Sequence, residues 1–132
     1  MNKSDIVTRA DVEKLVNQFY DKVKADALLA PVFSHLDWPK HLPMMYDFWS
    51  FSLLGEPAYR NNMVQKHLNL PIKPEHFTQW LLLFNATIDE NFSGDKAEEA
   101  KSRAYSMAVV IQVKLGLVWS PAIKSGLVHL NR

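Results

Sequence analysis

Apolar and polar positions along this chain recur with the period of helices. Val12, Leu15, Val16, Phe19 and Val23 fall at the i, i+3, i+4, i+7 spacing that lines one helical face, with Tyr20 at its border. Thr8 is an N-cap candidate, and Asp11 stands in the first turn, where a carboxylate meets the positive end of the helix dipole. The pattern breaks over ALLAPVFSHLDWP and resumes near Pro39. From there to about Leu54, His41, Met45, Phe48 and Ser52 share a face, with Trp49 beside it. Pro43 reads as a first-turn proline, where a missing N–H costs little.

The segment from Glu56 to Pro71 is mostly polar and predicts only a short helix ending near His67. A third long helix opens at Pro74 and Glu75 with Phe77, Trp80, Leu81, Phe84 and Ile88 on one stripe, which Leu82 and Leu83 widen into a buried helix. After Gly94, Asp95 and Glu98 mark a fourth start. Its face runs through Ala97, Ala100, Ala104, Met107, Ala108, Ile111 and Leu115, and the small residues near its beginning permit a close neighbour. No stretch alternates as a half-buried strand does, and no Asn-Gly or Asp-Gly hairpin signal occurs. The expectation is an all-α fold in one domain, residues 1–132, with a tail at 117–132 that is apolar but broken by Pro121 and Gly126.

Composition narrows the functional classes. With 15 basic and 14 acidic residues the formal net charge is +1, which gives no electrostatic case for nucleic acid or an anionic membrane. Cysteine is absent, so disulfides, thiolate metal sites, a cysteine nucleophile and a thioether-linked haem are excluded. The opening MNKSDIVTRADVEK lacks the apolar core of a signal peptide and no later run reaches a membrane span, so a cytoplasmic location is expected.

Five histidines are present, His35, His41, His67, His76 and His129, but none forms H-E-x-x-H, and no G-x-S-x-G, P-loop or G-x-G-x-x-G occurs. Taken singly, His67 reads as a helix-end cation, His41 as a polar residue at the edge of an apolar face, and Tyr20 and Trp80 as ordinary core. Their combination says more. Tyr O–H, His N–H and Trp N–H donors come from separate helices that are otherwise apolar on those faces, as in a site closing over a flat apolar ligand.

The runs FYDKVKADALLAPVF, HLPMMYDFWSFSLLGEPAY and HLNLPIKPEHFTQWLLLFNATIDENFSG, followed by RAYSMA, resemble the truncated haemoglobins, most closely their third group, over about residues 9–115. The resemblance rests on spacing: thirteen residues from Tyr20 to Phe33, eight from His41 to Trp49, and thirteen from His67 to Trp80. Other groups usually carry paired glycines before the distal helix and before the proximal segment, and this chain has none there. The resemblance implies a shortened globin fold, helices two over two around a non-covalent haem b. In it His67 matches the proximal iron ligand, and Tyr20, His41 and Trp80 match polar positions on the distal side. Phe33 matches the phenylalanine that packs on the haem, and Met45, Phe48 and Trp49 match distal-helix positions facing the cavity. By position Met63, Leu70, Ile72, Phe77, Met107 and Ile111 are candidates for the apolar wall. Pro43 and the tail beyond Gly116 depart from the family's pattern.

The implied partners are O2, NO, CO or cyanide at a single-histidine iron, released slowly because several donors face them, in a monomer or weak dimer. Oxidation of NO or activation of peroxide would further need an external reductant, since no reductase domain is encoded in these 132 residues. Two other readings compete on the residues alone. One is a non-haem all-α interaction domain with structural histidines and aromatics; the other is a histidine and carboxylate metal bundle, for which the paired Glu-x-x-His motifs are missing.

Overall fold

The computed structural model describes residues 3–34, 36–56 and 73–114. Among them are five helices: α1 (Arg9–Ala25), α2 (Ala30–Phe33), α3 (Trp38–Leu54), α4 (Pro74–Asn91) and α5 (Asp95–Lys114). The described residues contain no strand, as the periodicity predicts. The expected short helix around His67, the wall candidates Met63, Leu70 and Ile72, Gly116 and the tail lie outside the described residues.

Helix α1 forms where its stripe places it. Val12, Leu15, Val16, Phe19, Tyr20 and Val23 are buried. At its start the Asp11 N–H donates to Thr8 Oγ1 (3.2 Å), while the Thr8 and Val7 N–H groups donate to Asp11 Oδ2 (3.0 and 2.9 Å). Two donors that the helix itself cannot satisfy are thereby paired.

The break after α1 contains an element that the sequence does not announce, the single turn α2. Asp26 sets it up: its Oδ2 accepts the Leu28 and Leu29 N–H groups (3.0 and 2.9 Å), and its Oδ1 accepts Gln79 Nε2 of α4 (2.7 Å). Burial works to raise the Asp26 pKa, but these donors prevail and hold it below the usual carboxylate range. Leu29 at the start of this turn and Phe33 at its end are both buried, and Asp26 ties the turn to α1 and α4 together.

Helix α3 begins one residue before the expected Pro39, so Pro39 takes the early position at which a missing N–H is harmless. Pro43 is consequently inside the helix, not in its first turn, and the Pro39 carbonyl receives no N–H from it. The inward face is also rotated from the expected one. Met45, Trp49, Ser50 and Leu53 are buried, whereas His41, Phe48 and Ser52 are half-buried. Gly55 ends the helix at φ +76°, with its N–H donating to Phe51 O (3.1 Å) and the Glu56 N–H to Ser50 O (3.4 Å). Glycine suits that left-handed position because it has no Cβ.

Helix α1 packs on α3 and α4 on α5, and α1 also crosses α4 while α3 meets α5. This is a two-over-two arrangement. Arg9 joins the first pair, 2.7 Å from Asp47, and Lys22 joins α1 to α4, 3.0 Å from Glu90. In α5, Ala97, Ala100, Ala104 and Ala108 are buried, and their small side chains let α4 come close. The outer face of α4 corrects one expectation: Leu82 is 62% exposed, and Leu83 only partly buried. Asp5 reaches back over the start of α5 and accepts the Lys96 and Ala97 N–H groups, both at 2.9 Å. Beside it, Gly94 at φ +138° leaves no room for a side chain, since a Cβ there would lie 2.6 Å from Asp5.

Candidate functional site

Tyr20 is the centre of the polar group on the α1 and α3 side. Its phenol is buried, and that burial alone pushes its pKa up, so the hydroxyl keeps its proton and remains a donor throughout the ordinary pH range. Its ring is fixed by three others: Phe19 at 4.8 Å, Trp38 at 5.2 Å and the His41 imidazole edge-on at 5.1 Å. Trp38 and His41 also meet each other at 5.5 Å, being one helical turn apart on α3. Trp38 is therefore part of this group although sequence reasoning missed it. Its i, i+3 relation to His41 was the available signal. Outside it, Lys24 Nζ lies 4.5 Å above the Trp38 ring.

Phe19 links this group to Trp80 on α4, meeting it edge-on at 5.2 Å. Trp80 stacks on Phe84 at 5.4 Å with planes 2° apart, and Phe84 stacks on Trp49 at 5.0 Å. Phe48 meets the edge of Trp49 at 5.1 Å. A continuous aromatic layer thus runs from His41 through Tyr20, Phe19 and Trp80 to Trp49.

Trp80 also borders an open cleft. Leu29 and Phe33 form its wall on the α2 side, His76, Phe77 and Trp80 its wall on α4, and Met107, Ala108 and Ile111 its wall on α5. Of the expected pocket residues, Phe33, Phe77, Trp80, Met107 and Ile111 come together here. Tyr20, His41, Met45, Phe48 and Trp49 are not in this lining; ring contacts through Phe19 and Phe84 connect Tyr20, His41, Phe48 and Trp49 to Trp80. His67, Met63, Leu70 and Ile72 belong to the segment outside the described residues.

His76, counted among the five histidines but given no role by the sequence, also lines the cleft, and its Nδ1 accepts the Lys73 N–H at 2.8 Å. Among the described residues of the cleft lining it is the one titratable side chain.

The chemistry of these walls suits a flat, largely apolar group. Aromatic faces and branched or thioether side chains offer dispersion contacts, and among the described residues no carboxylate or ammonium lines the cleft. Haem fits that description. Among the described residues, no three His, Cys, Asp or Glu side chains gather as a separate metal site.

Residues 5–112 match the family of bacterial-like globins. The chain belongs to the truncated haemoglobins, group III. It is 30% identical over 113 residues to the group 3 truncated hemoglobin ctb of Campylobacter jejuni subsp. jejuni serotype O:2, an overlap of 80% of this chain and 89% of that one. Its fold is similar to the crystal structure of the group III truncated hemoglobin from Campylobacter jejuni, with TM-score 0.77 and 32% identity over 86% of this chain and 94% of that one. The two-over-two packing is accordingly that of a truncated globin, and the chain is a haem-binding globin whose ligands are small diatomic gases. The reading as a non-haem interaction domain falls with this membership. No helix among the described residues of this globin is long and apolar enough to cross a membrane.

Proposed function

We propose that this globin holds a non-covalent haem b through His67 and retains O2, NO, CO or cyanide as its ligands. The absence of cysteine leaves no thioether to a vinyl group, which supports the non-covalent form. Haem, when bound, would supply an iron able to take a small ligand. The chain's part is to donate. Tyr20 O–H, Trp80 N–H and His41 N–H are the donors of this reading, and each well-aligned bond in a dry site contributes about 1 to 3 kcal/mol to ligand retention.

The observation that carries the reading is the buried, permanently protonated Tyr20 packed against His41 and joined to Trp80 through Phe19. Fixed rings keep their donors pointed without reorganisation. Phe33, Phe77, Met107 and Ile111 would close on the macrocycle and exclude water, and Met45, Phe48 and Trp49 would back the ligand side. Met63, Leu70 and Ile72 complete the wall in this proposal. Such a protein favours retention and reaction over delivery, with oxidation of NO or turnover of peroxide as its chemistry. Either needs an outside reductant. A cytoplasmic location and a monomer or weak dimer belong to the same reading.

The deciding experiment is reconstitution with haem. The wild type is expected to give a Soret band that His67→Ala greatly weakens. A protein that stays colourless with added haem, or an H67A variant with an unaltered spectrum, would overturn the assignment.

A further inference from the structure

We infer that His76 holds a haem carboxylate at the rim of the cleft and thereby sets how slowly the group is lost. The inference rests on the haem reading above, and begins from a tautomer. His76 Nδ1 accepts the Lys73 N–H at 2.8 Å, so in the neutral ring it carries no proton and the imidazole hydrogen is on Nε2. The bond also fixes the ring's direction. His76 stands at the third position of α4, where a glutamate or glutamine would ordinarily close a capping box. An imidazole makes the same cap and keeps a second nitrogen available as a donor.

That side chain borders a cleft whose other walls include Leu29, Phe33, Phe77, Met107 and Ile111. Haem is apolar over most of its perimeter and carries two carboxylates on one edge. Seated among those carbon walls it must turn that edge to the polar rim, because a carboxylate left among them would lose its hydration without compensation. His76 Nε2–H is the rim donor whose orientation the backbone already fixes, and it lies at the positive end of the α4 dipole. His76 is thus a binding residue for the group's carboxylate as well as a cap.

The test measures haem transfer from the holoprotein to an excess of apomyoglobin, for the wild type, His76→Gln and His76→Glu, loaded with haem or with its dimethyl ester. Both variants keep an acceptor for the Lys73 N–H; only glutamine also keeps a donor. With haem, H76E is expected to lose the group about tenfold faster than wild type and H76Q within about threefold. With the dimethyl ester the three are expected to agree. Equal loss of haem from wild type and H76E would overturn the inference, and so would the same acceleration with the ester, which would mark a purely structural role. A wild type that takes up no haem would overturn the haem reading with it, whereas the other two failures leave that reading standing.

Discussion

Tyr20 and His41 meet edge to face, their ring centroids 5.1 Å apart and their planes at 82°. The phenol ring is thus held by packing, independently of its hydroxyl. Tyr20→Phe should leave the fold intact and remove one donor. If Tyr20 retains the ligand, O2 dissociation should quicken by about ten- to a hundredfold, corresponding to ~1 to 3 kcal/mol. Ligand-displacement kinetics on the ferrous protein measure this, and an unchanged rate would take Tyr20 out of the site.

Phe84 stacks on both Trp80 and Trp49 and meets Phe19 edge-on at 5.1 Å. Phe84→Ala should lower stability by about 3 to 5 kcal/mol, because the cavity lies between two rings that cannot collapse into it. Denaturant titration gives the size, and near-ultraviolet circular dichroism should show the tryptophans losing their fixed environment. A loss below about 1 kcal/mol would contradict the stacked arrangement.

Pro43 is an exposed proline within α3. Pro43→Ala restores an N–H for the Pro39 carbonyl, which favours the helix, but frees the unfolded chain, which opposes it. The balance should be a gain of about 1 kcal/mol, seen as a rise in Tm of a few degrees. A lower Tm would mean that the proline is fitted to the local backbone.

Asp5 carries a pH dependence whose sign follows from its partners. Burial works to raise its pKa, but the Lys96, Ile6 and Ala97 N–H groups and the Lys96 charge hold it below the usual value. A carboxylate depressed in the folded state contributes stability that is present above its unfolded pKa, about 3.9, and is lost as pH falls through the lower folded value. Asp5→Asn should therefore lower stability near neutrality by about 1 kcal/mol and flatten its fall in acid. Thermal melts from pH 6 down to pH 2 separate the two curves; parallel curves would refute the effect.

Local periodicity made the main helices legible. The α1 stripe from Val12 to Val23 is buried as its spacing predicts, and the Thr8 and Asp11 cap is a local pattern of short reach. What spacing could not supply was the direction of neighbours. Leu82 looks like its neighbours in sequence but faces outward, and the inward side of α3 is set by the partners of Trp49 and Met45. The α2 turn has four residues and a proline, too short to show a period. Trp38 and His76 went unnoticed because their roles arise from rings and walls on other helices. The proposed donor set rests on a family resemblance carried by the spacings of Tyr20, His41, His67 and Trp80; composition alone does not point to it.

The bonds from Asp5 to the Lys96 and Ala97 amides span 91 and 92 residues of chain. A link of that length ties the segment before α1 to the start of α5 across most of the described fold. Without Asp5 the first turn of α5 would lack two of its amide partners. Met107 and Ile111, farther along the same helix, border the cleft. Asp5 therefore anchors, from the segment before α1, the start of the helix that supplies this wall.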